Sequence, residues 1–194
     1  AGMPTDSIAP RRPRSAVFLD RDGVINENRS DYVRSTEQLH IFPATLPALA
    51  RLAQSEHAIV IVTNQSAIGR GLVSAETVAQ TNHYLLERIH AAGGRIDALY
   101  LCPHAPDDAC ECRKPRPGLL LQAGSELQLD LTRSWLIGDA ISDLQAAIAS
   151  GVRPILVGTG RGKEASLQLA SEGLANISFL PDLVEAVEHV LASA

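Results

Sequence analysis

Five short runs in this chain are apolar at successive positions rather than at alternate ones: Ala16–Leu19, Ala58–Val62, Ala98–Leu101, Trp135–Ile137 and Pro154–Val157. A strand with one face in water alternates apolar and polar side chains, so an unbroken apolar run marks a strand covered on both faces. That is the condition of a strand inside a parallel sheet. Parallel neighbours cannot be joined by a tight turn, and the stretches between the runs are long enough to cross over as helices. Helical period is seen at about 44–54, 74–92, 117–127 and 142–149, with a last helix at about 181–191. Ser74 stands where the second of these needs an N-cap, and Gly93-Gly94 and Gly151 stand where helices must stop. The pattern predicts one α/β domain of βαβ units with right-handed crossovers.

The 194 residues suffice for one such domain with a sizeable core. A net charge of −5, with no basic surplus, excludes nucleic acid as an expected partner. No apolar run has the length of a membrane span. Ala1-Gly2 ahead of Met3 has the look of a cloning remnant, and residues 1–14 are expected to form a flexible N-terminus ahead of a domain over 15–194. With no export-type apolar stretch after Arg11, Arg12 and Arg14, the expected location is the cytoplasm and the expected state a monomer.

Chemistry-bearing residues gather where the runs end. Asp20 and Asp22 emerge from the first, followed by Gly23. An ionised carboxylate can attack phosphorus directly, and a second one two residues on can protonate the leaving oxygen and then deprotonate a water. Thr63, Asn64, Gln65 and Ser66 follow the second run and could hydrogen-bond phosphoryl oxygens, although such residues also favour turns. Arg113-Lys114 precede the helix near Pro117, where Lys114 could balance Asp20 and a transferring phosphoryl group. Gly138-Asp139 end the fourth run, and Asp139 with Asp20 supplies hard oxygen ligands for Mg²⁺. Asp143 fits both a carboxylate at a helix N-terminus and a group behind the metal. The polar stretch from Gly23 to Phe42 breaks the alternation; it is either a substrate loop over the carboxyl end of the sheet or a plain surface connection.

Cys102, His104, Cys110 and Cys112 lie within eleven residues and are followed at once by Arg113-Lys114. Three thiols and an imidazole make a complete Cys3His set, the donor set of a closed structural zinc site. With four protein ligands the zinc has no open position for catalysis, so its expected work is to fold the loop and fix the cations after it.

In its order along the chain, D-x-D-G, then Thr, then Lys, then G-D-x-x-x-D resembles the haloacid dehalogenase-like hydrolase superfamily over residues 17–143. That resemblance implies a Rossmann-like parallel sheet with helices on both faces. It also implies that the strands before Asp20 and Asp139 lie side by side. Aspartate at position 22 points to phosphatases, its main-chain carbonyl joining Asp20 and Asp139 on Mg²⁺. Closer in, the stretches Phe18–Asn26, Asp31–Val33, Thr63–Ser66 with Arg70-Gly71, and Cys112–Gly118 resemble the D-glycero-D-manno-heptose-1,7-bisphosphate 7-phosphatase family. Its members make heptose precursors of lipopolysaccharide or S-layer glycans. They have no large cap domain, only loops and a small zinc-binding loop. The resemblance implies Thr63 and Lys114 on the phosphoryl group, Arg113 in substrate recognition, and Asn28, Arg29, Ser30, Asp31, Tyr32, Asn64, Gln65 and Ser66 along the pocket. The five-residue gap between His104 and Cys110 instead resembles histidinol-phosphate phosphatases, which share the core and the knuckle. Ala140 stands where heptose phosphatases often carry a lysine, so that cationic contact is either missing or supplied from elsewhere, with Arg70, Arg116 and Lys163 as candidates. A non-catalytic phosphosugar-binding module, and a phosphotransferase with an acceptor other than water, are the other readings.

Overall fold

The computed structural model describes residues 11–193. Six parallel strands form one sheet: β1 (Ala16–Leu19), β2 (Ala58–Asn64), β3 (Ala98–Cys102), β4 (Trp135–Gly138), β5 (Arg153–Val157) and β6 (Ser178–Leu180), in the order β3-β2-β1-β4-β5-β6. The helices between them are α1 (Thr45–Leu52), α2 (Ser66–Gly69), α3 (Ala75–Ala91), α4 (Gly118–Glu126), α5 (Ile141–Ala149), α6 (Gly162–Ser166) and α7 (Leu183–Ala192). The five apolar runs are the first five strands. β6, at the sheet edge, is three residues of mixed exposure and gave no apolar run to read. The short helices α2 and α6 also lie outside the sequence pattern.

The two-residue period of a strand splits the central side chains into two cores. Val17, Leu19, Ile59, Ile61 and Ile137 pack with α1, α3 and α7. Ala16, Phe18, Val60, Val62 and Leu136 pack with α4 and α5 on the other face. Phe18 is fully buried opposite Val60 and Leu136, the centre of the second core. Truncating so central a ring to alanine typically costs about 3–5 kcal/mol.

The strand order turns back between β1 and β4, so the loops leaving their carboxyl ends diverge and open a crevice. The expected flexible arm lies mostly outside the described residues. Within them, Arg14 already bridges Leu129 in parallel, and its guanidinium donates to the Glu56 carbonyl at 3.1 and 3.2 Å. Among the described residues no helix is long and apolar enough to cross a membrane.

Candidate active site

The last rung between β1 and β4 is the bond from the Asp20 amide to the Ile137 carbonyl, 3.1 Å. Asp20 therefore leaves the sheet beside Gly138-Asp139, as the sequence predicts. Between them sits the buried Lys114 ammonium. It donates to Asp20 Oδ1 at 3.0 Å, to Asp143 Oδ1 at 2.6 Å and to the Val62 carbonyl at 2.9 Å. An ammonium has three protons, and all three are used. Lys114 is anchored at its backbone too: its amide donates to Asn64 Oδ1 at 3.0 Å, and Asn64 Nδ2 donates to its carbonyl at 3.1 Å.

Asp143 does both things its position suggested. Its Oδ2 accepts the Asp139 and Ala140 amides at 3.2 Å each, closing the N-terminus of α5, while Oδ1 holds Lys114. Asp139 Oδ2 accepts from Asn28 Nδ2 at 2.8 Å and from the Arg161 amide at 3.0 Å. Carboxylate oxygens of Asp20, Asp139 and Asp143 lie within 4.8 Å of one another. Burial, then repulsion from Asp143, raises the Asp20 carboxyl well above its ordinary range, and Lys114 only partly offsets this. Asp139 is raised for the same two leading reasons. Burial works against the Lys114 ammonium, but Asp143 and Asp20 outweigh it and hold its pKa above the ordinary value. Three carboxylates, those of Asp139 and Asp143 buried, against one ammonium leave negative charge that a hard divalent cation suits, so the donor set fits Mg²⁺.

Asp22 faces a different neighbourhood. Its carboxylate accepts three bonds from the buried Arg21 guanidinium, from Nε to Oδ1 at 3.1 Å and from one terminal nitrogen to Oδ1 at 2.9 Å and Oδ2 at 3.2 Å, and one from Asn26 Nδ2 at 2.8 Å. Gln65 Nε2 adds a contact at 3.3 Å. Arg21 in turn donates to Asn82 on α3 at 2.7 Å. Thr63 is buried, and its hydroxyl accepts from Gln65 Nε2 at 2.7 Å.

A cavity of about 210 Å³ opens above these groups. Asp20, Asp22, Lys114 and Asp139 form its floor, and Asn28, Arg29, Tyr32, Asn64, Ser66 and Arg113 are also in its walls. Ser30, Asp31, Thr63 and Gln65 are not in its lining. Ser30 is exposed at the turn, and Asp31 points to Arg29, Oδ1 to Nε at 3.1 Å. Of the cations proposed to stand in for a lysine at Ala140, Arg70 reaches the cavity. Arg116 bonds the Cys110 carbonyl instead, and Lys163 lies outside the lining. Arg161, not anticipated, lines the cavity beside Ala140. Arg113 has a buried guanidinium nitrogen without a hydrogen-bond partner among the described residues.

The knuckle brings its four donors together: Cys102, His104, Cys110 and Cys112 ligand atoms lie within 4.8 Å of one another. Burial first, then the bond with Cys112, pushes the Cys102 thiol up to about 12. Thiols this close resist ionising together unless a cation holds them, and the soft donor set fits zinc.

A doubly wound sheet with this carboxylate–lysine cluster at its switch point defines a phosphatase of the haloacid dehalogenase-like class, and the HAD-hydrolase-like family model matches residues 111–186. The D-glycero-β-D-manno-heptose-1,7-bisphosphate 7-phosphatase of Pseudomonas aeruginosa is 42% identical over 149 residues, covering 77% of this chain and 84% of that protein. Its counterpart in Bordetella bronchiseptica is 37% identical over 179 residues, or 92% and 98% of the two chains. The crystal structure of the B. bronchiseptica D,D-heptose 1,7-bisphosphate phosphatase, complexed with magnesium and phosphate, superposes with a TM-score of 0.86 over 93% of this chain and 99% of that one. The chain belongs to the D-glycero-β-D-manno-heptose-1,7-bisphosphate 7-phosphatase family.

Proposed function

We propose that this protein hydrolyses the 7-phosphate of D-glycero-β-D-manno-heptose 1,7-bisphosphate, with Mg²⁺ as cofactor and a structural zinc in the knuckle. Asp20 is the nucleophile. One of its oxygens bonds to phosphorus as the bond to the sugar oxygen breaks, and Asp22 gives that oxygen its proton. The aspartyl-phosphate is then cleaved by a water whose proton returns to Asp22, releasing inorganic phosphate and free Asp20. Arg21, Asn26 and Gln65 hold the Asp22 carboxylate in place for both transfers. Lys114 faces the nucleophile and carries positive charge to the transferring group, as phosphoryl transfer requires. Asp20, Asp139 and the Asp22 carbonyl would hold Mg²⁺, with Asp143 behind them, and the cation supplies further charge neutralisation.

The observation that carries the substrate reading is the cationic content of the cavity. Arg70, Arg113 and Arg161 line it, and none has a carboxylate partner within ion-pair distance among the described residues. A bisphosphate brings a second anion to such a lining. Histidinol phosphate brings an ammonium, which three guanidiniums repel. The same names in relatives of high coverage support the heptose reading.

The deciding assay measures Mg²⁺-dependent phosphate release from heptose 1,7-bisphosphate and from histidinol phosphate side by side, with Asp20→Asn as control. The bisphosphate should be preferred by at least about a hundredfold in kcat/KM, and Asp20→Asn should retain binding but lose about 10⁴-fold or more in turnover. A preference for histidinol phosphate overturns the substrate. Absence of release from any phosphate ester overturns the enzyme reading in favour of a binding module.

A further inference from the structure

Parallel strands gather their amino ends on one side as they gather their carboxyl ends on the other. At the amino side, away from Asp20, lies a second cavity of about 510 Å³. Its walls include Ser15 ahead of β1, Glu56 and His57 ahead of β2, Arg133 and Trp135 at the start of β4, and Arg153 opening β5. Strands β1 and β4 span four residues each, so roughly 13 Å of sheet separates this cavity from the catalytic centre.

Its charge is unbalanced. The Arg153 guanidinium lies over the Trp135 ring at 3.9 Å and donates to the Arg133 carbonyl at 3.0 Å. Arg133 pairs with Asp130 at 2.9 Å. Arg14, next to the cavity, spends its bonds on the Glu56 carbonyl rather than on a carboxylate. The nearby Glu188 on α7 is already paired with Arg51. That leaves the exposed Glu56 as the one lining carboxylate among the described residues. The half-buried His57 senses the imbalance: burial, then Arg153, Arg133 and Arg14, lowers its pKa, with no carboxylate set against them. Its Nδ1 meets Ser15 Oγ at 2.7 Å. All the cations here are arginines, whose planar fork matches phosphate geometry. None of them takes part in the chemistry at Asp20.

We propose that this cavity binds a phosphorylated small molecule, its phosphate held by Arg133 and Arg153 with His57 and Ser15 as neutral hydrogen-bonding groups, at a site separate from the catalytic centre. Two guanidiniums line a concavity of this size, Arg153 without a carboxylate partner among the described residues and Arg133 shared with Asp130, and a phosphate supplies the negative charge the lining lacks.

Trp135 is the chain's single tryptophan, so intrinsic fluorescence reports on this cavity directly. The full chain without Mg²⁺ is titrated with inorganic phosphate, with 3-phosphoglycerate and with citrate, and isothermal calorimetry repeats each titration. The expected result is a saturable response to 3-phosphoglycerate that persists in Arg113→Met/Arg161→Met, in which the catalytic cavity has lost two of its cations. It should weaken about tenfold or more in the Arg133→Met/Arg153→Met double variant. That variant should keep Mg²⁺-dependent phosphatase activity within about twofold of wild type, which also shows that it is folded. A response lost in Arg113→Met/Arg161→Met places the ligand in the catalytic centre and overturns the proposal. So does a response to citrate alone, a response indifferent to the two arginines, or silence in both fluorescence and heat.

Discussion

Replacing Gly160 by alanine tests how tightly the loop after β5 is fitted against Asp139, a carboxylate of the proposed metal site. Gly160 has φ +55°, and a β-carbon built there would stand 2.4 Å from Asp139 Oδ2, 2.5 Å from Gly23 Cα and 2.7 Å from Asn28 Nδ2. None of the three can yield freely. Asp139 Oδ2 is fixed by Asn28 at 2.8 Å and the Arg161 amide at 3.0 Å, while the Thr159 hydroxyl donates to the Gly23 carbonyl at 2.6 Å. The substitution therefore has two costs. The left-handed backbone contributes ~1–2 kcal/mol, and overpacking adds ~1–3 kcal/mol, for a sum of about 2–5 kcal/mol. Gly151 is the control: φ +77°, with nothing within 4 Å of its notional β-carbon, so Gly151→Ala carries the backbone cost alone. Urea unfolding of the two variants separates crowding from backbone strain. Phosphate release measured against Mg²⁺ concentration shows where the crowding is relieved. If the Asp139 carboxylate is displaced, Gly160→Ala raises the Mg²⁺ half-saturation point about tenfold, ~1.4 kcal/mol, and Gly151→Ala leaves it alone. Equal destabilisation by the two substitutions, or an unchanged Mg²⁺ dependence in Gly160→Ala, refutes the reasoning.

Lys114→Met leaves Asp20 and Asp143 buried without their shared ammonium and should lower unfolding stability by about 3–5 kcal/mol; a loss below about 1 kcal/mol, typical of an exposed pair, would remove Lys114 from its central place. Stripping zinc with a chelator should release about one equivalent per chain, expose three reactive thiols and depress activity, because the knuckle leads directly into Lys114; a folded, zinc-free and fully active protein rules this out. In the metal-free protein Asp20 and Asp139 have raised pKa values, from burial first and Asp143 second. The native state then holds more protons than the unfolded chain, so their contribution to stability falls as pH rises from the ordinary carboxylate range through the raised values. Mg²⁺ keeps these groups ionised, so the gain in melting temperature on adding Mg²⁺ should widen with pH across that window. Asp130, held down to about 2 by Thr132 and Arg133, changes stability in the opposite sense but cancels in the difference. A gain that narrows with pH contradicts this. Arg161→Met should raise KM for the bisphosphate about tenfold while leaving that for a monophosphate such as p-nitrophenyl phosphate unchanged. Ala140→Lys in the same background should restore it; equal effects on both substrates would place Arg161 outside the recognition of the second phosphate.

The parts legible in the sequence share one property: their positions follow from local pattern. Both-face burial writes itself as unbroken apolar runs, and a residue just past such a run must lie at the sheet edge. Asp20, Asp139 and Asn64 were therefore readable, as were the knuckle ligands, which are neighbours along the chain. Arg21 was not. An arginine between two aspartates reads as a solvated ion pair, yet it is 1% exposed and reaches Asn82, sixty-one positions away. Arg161 was missed because it lies in a loop with no chemical signature, and only its fold back onto Asp139 gives it meaning. The substrate stretch shows the opposite error of resolution. Residues 28–32 were read as one lining segment, whereas Arg29 turns Asp31 aside and leaves Ser30 in solvent. β6 escaped because an edge strand has little to bury.

The groups that line the catalytic cavity divide by sign of charge. Asp20, Asp139 and Asp143 outnumber Lys114 and suit a divalent cation, while Arg70, Arg113 and Arg161 have no carboxylate partner among the described residues. On the proposed reading, a ligand with one phosphate leaves the arginines unsatisfied. Bringing a second phosphate to Arg70, Arg113 and Arg161 allows binding energy remote from the reacting bond to align the first phosphate on Asp20. Ala140 then need not be a loss. On the proposed reading, Arg161 would supply from the β5 side the charge that a lysine on the β4 side would provide. Because the Arg161 amide also donates to Asp139 Oδ2 at 3.0 Å, the loop after β5 is tied to the carboxylate that follows β4.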